Sequence, residues 1–142
     1  MALISPHGAD ALRPLIVDAA RRAELEIEAK TLPSMMASSA AAANAVMMAA
    51  GYFTPLAGYM NRADALSVAK NMTTSEGLFW PVPVMNLAES ATVTAGQRLA
   101  LTDPNREGHP VLAVMTVEAV ATVSDDGMAT IFESVFRTHY TE

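Results

Sequence analysis

Three histidines are the side chains best suited to proton transfer or metal ligation in this chain, and their placement argues against both. His7 lies in Ser5-Pro6-His7-Gly8, His109 precedes Pro110, and His139 stands near the last residue. A helix-borne metal pair needs two such residues about four apart, with a carboxylate or third ligand nearby. These three are scattered, and no carboxylate sits at a ligand spacing beside them. His7 is therefore expected to be a turn residue that bonds backbone. The string Asp103-Pro104-Asn105-Arg106-Glu107-Gly108 puts an acid and a base in one loop, an arrangement that could hold an anion. The same order is what a hairpin turn demands, and the turn is the stronger reading. Asp125-Asp126-Gly127 is likewise a turn signal that lacks the further ligands of a calcium loop. Gly51 and Gly58 enclose apolar residues with no Lys-Ser or Lys-Thr after them, so they make no phosphate cradle. Ser34, Ser38 and Ser39 lack a nucleophile elbow and are expected as helix caps. The absence of cysteine removes disulfides, thiolate metal sites and thiol catalysis together. No catalytic residue, substrate-binding residue or metal ligand is assigned.

The elements that would position these residues run from helical to extended. Asp18 is the expected N-cap of a helix through about Lys30, with Leu25 and Ile27 inward and Arg21, Arg22, Glu24 and Glu28 outward. Leu32-Pro33 ends it, because the residue before proline avoids helix. Ser38 or Ser39 caps an alanine-rich helix to Ala50, which Gly51 stops at positive φ. A third helix is expected from Asn61 or Arg62 to about Asn71. Strands are predicted over residues 82–87, 98–101, 111–118 and 120–123, separated by Gly, Pro, Asp and Asn turns. Residues 128–136 are read as a last short helix. Helices first and an antiparallel strand set afterwards predict an α+β domain. The ten methionines, among them Met35, Met36, Met47, Met48, Met60, Met72 and Met85, are expected as core filler, with a flexible docking surface as the lesser reading.

The 142 residues fit one domain with a real core, and 51% hydrophobic against 17% charged residues excludes disorder. A net charge of −6 disfavours nucleic acid and anionic membrane, since both demand a basic face. Residues 40–50 form the longest apolar tract, far short of the roughly 20 residues of a membrane span. No secretion signal is visible at the N-terminus, and the cysteine usage fits a cytoplasmic protein.

Two apolar segments remain, Gly51-Tyr52-Phe53-Thr54-Pro55-Leu56-Ala57-Gly58-Tyr59-Met60 and Gly77-Leu78-Phe79-Trp80-Pro81-Val82-Pro83-Val84. In the first, Gly58 is expected to let the backbone pass close to a neighbour; in the second, Phe79 and Trp80 should bring large buried area at a strand entry. Together with Leu32-Pro33, Asp103-Pro104-Asn105 and His109-Pro110-Val111-Leu112-Ala113-Val114-Met115, they make the chain resemble the N-terminal domain of ATP sulfurylase (sulfate adenylyltransferase). The run Asn44-Ala45-Val46-Met47-Met48 is most similar to the dissimilatory and sulfur-oxidiser branch. The resemblance covers nearly the whole chain, from Ser5 to Thr138. It implies a PUA-like β-barrel with N-terminal helices, and residues 1–142 as a single N-terminal domain. The family's Gln-Thr-Arg-Asn-Pro and Gly-Arg-Asp-His stretches do not occur here. It thus implies an accessory domain, inactive alone, whose partner is the catalytic nucleotidyltransferase domain of the same enzyme. ATP and magnesium would belong to that domain, and no cofactor to this chain. A homo-oligomer is a further implied partner, with nucleic acid and membrane excluded. The alternatives are a PUA-like RNA-binding module, against which the acidic balance and 6% aromatics speak, and a stand-alone interaction domain.

Overall fold

Asp18 does begin the first helix. In the computed structural model, which describes residues 4–88 and 93–127, its side chain accepts a hydrogen bond from the Arg21 N–H at 2.8 Å and caps α1 (Ala19–Ala29). The chain leaves the helix at Lys30, ahead of Leu32-Pro33. Arg21 with Glu24 and Arg22 with Glu26 form surface pairs along α1, each worth a few tenths of a kcal/mol. The expected inward pair is half right. Leu25 is half-buried and Ala29 fully so, but Ile27 is 67% exposed. Leu25 and Ala29 are four residues apart and share a face; Ile27, two from each, falls on the far side.

Ser38 caps α2 (Ser39–Ala49) by accepting from the Ala41 N–H at 3.1 Å. Ala41, Ala42 and Met48 are its buried residues. Gly51 follows at φ 83°, a conformation that suits glycine, and its missing Cβ leaves room for Pro14, whose atoms would lie 3.3 Å away.

Three strands form the sheet: β1 (Ser34–Met36), β2 (Arg98–Thr102) and β3 (Val111–Thr116), in the order β1-β2-β3. β1 runs parallel to β2, with Met35 opposite Leu101, and β2 runs antiparallel to β3, with Ala100 opposite Val114. Leu99, Ala100 and Leu101 of the central strand are each 1% exposed, so β2 is covered on both faces and centres the core. α1 and α2 both pack against β3. A half-buried ion pair joins Glu28 of α1 to Arg98 of β2. The α+β class holds, and among the described residues the implied barrel is an open three-stranded sheet. β1 was not anticipated, and three residues are too few to show the alternation that marks a strand. Residues 82–87 and 120–123, expected as strands, form none.

The described residues within Met1–Gly58 and Asn86–Val120, which hold α1, α2 and the sheet, form one compact unit; those within Tyr59–Met85 and Ala121–Glu142 form a second. In the second unit Asn61 caps α3 (Arg62–Asn71) by accepting from the Asp64 N–H at 2.9 Å. Asp64 in the first turn and Lys70 in the last both suit the helix dipole. Met72 ends α3 in the left-handed region at φ 55°. Its carbonyl accepts from the Trp80 N–H at 2.8 Å, next to an isolated bridge between Thr73 and Phe79. Trp80 is buried as expected, whereas Phe79 is 53% exposed. Adjacent residues on an extended segment point to opposite sides, so only one of the two can face inward. Residues 125–127, expected as a turn, are helical, with the Ser124 hydroxyl accepting from the Gly127 N–H at 3.3 Å. The predicted helix over 128–136 lies outside the described residues.

Candidate functional site

The loop between β2 and β3 carries the densest set of polar side chains singled out from sequence. The Asp103 carboxylate accepts from the Asn105 N–H at 2.9 Å, which is the local bond that makes aspartate a turn former. The Asp103 N–H donates to the Pro110 carbonyl, and the His109 N–H to the Arg106 carbonyl, both at 3.0 Å. His109 Nδ1 lies 3.0 Å from the Asp103 carbonyl oxygen. A carbonyl only accepts, so Nδ1 carries the proton and the ring braces the loop. Asn105 Oδ1 in turn accepts from the Ser39 hydroxyl at 2.7 Å, fixing the loop to the start of α2. The Ser39 proton is thus given to an amide oxygen, which is not a base that could activate the hydroxyl. The loop is a structural turn.

Asp64 heads a second cluster that sequence reasoning missed. One carboxylate oxygen accepts from both the Ser75 N–H at 2.9 Å and the Ser75 hydroxyl at 2.5 Å, and the other takes the Asn61 amide at 3.2 Å. Three donors on one carboxylate lock the turn after α3 onto the helix start. The signal was present, because Asn61-x-x-Asp64 has the spacing of a capping box. Tyr59 is half-buried, and that burial pushes its phenol up to about 12, too high for acid–base work near neutral pH.

The remaining candidates stay apart. His7 is exposed in a turn closed by the Ala9 N–H on the Pro6 carbonyl, and His139 lies outside the described residues. Gly51 is buried against Pro14, and a Cβ on Gly58 would meet nothing within 4 Å, so the close backbone approach expected at Gly58 occurs at Gly51 instead. Of the methionines, Met48 is core, Met35, Met60 and Met85 are half-buried, and Met36, Met47 and Met72 are exposed. Asn86 Oδ1 is buried without a hydrogen-bond partner. Among the described residues there is no group of three or more His, Asp or Glu that could hold a metal ion. No helix among them is long and apolar enough to cross a membrane.

What the geometry does assemble is a corner in which a strap outside any helix or strand, residues 10–17, is bonded to the end of α2. The Leu15 and Ile16 N–H groups both donate to the Ala49 carbonyl, at 3.0 and 3.1 Å. The Arg13 N–H donates to the hydroxyl oxygen of buried Thr54, which itself donates to the Gly51 carbonyl at 2.7 Å. Every residue from 10 to 20 is nevertheless exposed.

The described residues form an α+β fold with an open three-stranded sheet and capped helices. The chain belongs to the PUA-like domain family, which it matches over residues 4–142. It is 58% identical over 140 residues to the sulfate adenylyltransferase of Alcanivorax borkumensis, which takes in 97% of this chain and 35% of that protein. The sulfate adenylyltransferase of Allochromatium vinosum is 55% identical over 138 residues, 96% of this chain and 35% of its own length. Among solved structures, the hexameric APS kinase from Thiobacillus denitrificans aligns with a TM-score of 0.60 and 25% identity, covering 96% of this chain and 32% of that one. The chain thus spans about a third of the length of the curated relatives it matches.

Proposed function

We propose that this chain is the N-terminal accessory domain of a sulfate adenylyltransferase, a single domain over residues 1–142 that carries no catalytic residue of its own. The observation behind this is the 58% identity over nearly the whole chain to about a third of an enzyme of that name. In such an enzyme a sulfate oxygen bonds to the α-phosphorus of ATP as the bond to the bridging oxygen breaks and pyrophosphate leaves; sulfur oxidation runs the exchange backwards. The developing charge calls for clustered cations or helix N-termini around phosphate and sulfate. In this chain Arg21, Arg22 and Arg98 are each paired with a glutamate. The charge layout therefore supports a supporting role, with ATP and magnesium bound by the enzyme's other part. That catalytic part is the expected partner. Assembly into a homo-oligomer draws support from the structural neighbour, a hexameric APS kinase, and a cytoplasmic location fits an enzyme of ATP.

Pyrophosphate release from ATP in the presence of sulfate or molybdate, measured on the purified chain, tests the reading. No turnover above a no-protein blank is expected. Turnover that persists through further purification would place the chemistry in this chain and overturn the proposal.

A further inference from the structure

We infer that the corner formed by the strap and the C-terminal end of α2 is the face on which the rest of a sulfate adenylyltransferase polypeptide packs. Leu12, Leu15, Ile16 and Val17 of the strap stand exposed, as do Val46 near the end of α2 and Tyr52 just beyond it. Ile16 is 75% and Tyr52 74% exposed. Two backbone bonds to the Ala49 carbonyl, the Arg13 N–H bond to the Thr54 hydroxyl, the approach of Pro14 to Gly51 and the bond from the Tyr52 N–H to the Met47 carbonyl join the segments that carry these six.

The strap is unusual in its economy. Residues 10–20 bury none of their side chains, although Leu12, Leu15, Ile16 and Val17 are aliphatic. Contiguous apolar surface of more than a few hundred Å² on a lone domain marks an interaction site. The occupant follows from length and charge. The relatives carry about two thirds of their chain outside the matched region, so an occupant held at high effective concentration exists in each of them. A second copy of this chain would bring another net charge of −6 toward the same corner, which opposes self-association. The inference rests on the proposed function only for the identity of the occupant.

Carbene footprinting read by mass spectrometry tests it on two samples, the isolated chain and the intact Alcanivorax borkumensis enzyme. Label at residues 12–17 and at Tyr52 should be strong in the isolated chain at every protein concentration. It should fall several-fold at the aligned positions of the intact enzyme, while the outer face of α1 around Arg22 and Glu26 labels equally in both. Equal strap labelling in the two samples overturns the docking face. Protection that grows with concentration in the isolated chain overturns the occupant in favour of a second copy. Neither outcome touches the activity assay, so failure of the face and failure of the functional reading are distinguishable. Substituting Ile16→Lys and Tyr52→Lys should leave the melting of the isolated chain unchanged, because both side chains stand in solvent; a large loss of stability would show that they pack within this chain and would contradict the inference.

Discussion

Thr54 and Arg13, 41 residues apart in sequence, are joined by a hydrogen bond of 3.0 Å from the Arg13 N–H to the Thr54 hydroxyl oxygen, and the same hydroxyl donates to the Gly51 carbonyl. Thr54 is 4% exposed and is the buried polar residue that ties the strap to the turn after α2. Replacing it with valine keeps the shape, removes both bonds and leaves the Gly51 carbonyl without that donor. Thr54→Val should cost about 1–3 kcal/mol in denaturant unfolding. It should also speed hydrogen exchange at the Arg13 amide. An unchanged midpoint with unchanged exchange would mean that other contacts hold the strap.

Trp80 should be the most costly side chain to truncate in the second unit. It is buried, and its N–H bond to the Met72 carbonyl fixes the segment that follows α3. Trp80→Ala is expected to destabilise by about 3–5 kcal/mol. As the lone tryptophan it also reports directly, and its emission should be that of a shielded indole. A water-exposed emission maximum in the native protein would contradict the burial.

Asp64 should act as a joint between α3 and the turn at Ser75. Asp64→Ala removes three accepted hydrogen bonds and the acidic charge in the first turn, with an expected loss of about 1–3 kcal/mol. Ser75→Ala removes the hydroxyl bond and keeps the backbone one, so it should cost less. If the two variants lose equal stability, the Asn61 amide bond, the Ser75 N–H bond and the first-turn charge contribute nothing beyond the hydroxyl contact.

Burial of Tyr59 makes stability depend on alkaline pH. Its phenol is raised from 10.0 to about 12 by burial. Below pH 10 the folded and unfolded chains both keep the proton, and the full contribution is present. Between pH 10 and about 12 the unfolded chain gives up its proton first, so stability falls as pH rises. Ultraviolet titration of the phenolates should show a component near pH 12 that is missing in Tyr59→Phe. A titration indifferent to the substitution would contradict the burial of Tyr59.

How much of this was legible in the sequence depends on how local each signal was. Asp18, Ser38 and Asn61 each cap the helix that sequence predicts, because a cap is a bond between residues three apart. The hairpin at Asp103 was legible for the same reason. β1 was not, since its pairing with β2 joins residues 66 positions apart, Ser34 with Ala100, and three residues carry no period of their own. Ile27 and Phe79 were expected inside on hydrophobicity alone, yet each sits beside or near a residue that takes the inward face. The strap corner was invisible for a different reason. Its aliphatic residues look like core by type, and only their exposure in the fold shows that they lie on the surface.

The central claim, that this chain is the accessory part of a sulfate adenylyltransferase, meets its most direct test in a domain exchange. The matched third of the Alcanivorax borkumensis enzyme is replaced by this chain, and ATP formation from adenosine phosphosulfate and pyrophosphate is measured beside the parent enzyme and the isolated chain. The account predicts activity in the hybrid within about tenfold of the parent, a difference of roughly 1.4 kcal/mol in the barrier, and none in the isolated chain. A soluble, folded hybrid without activity, or an isolated chain with it, would contradict the account.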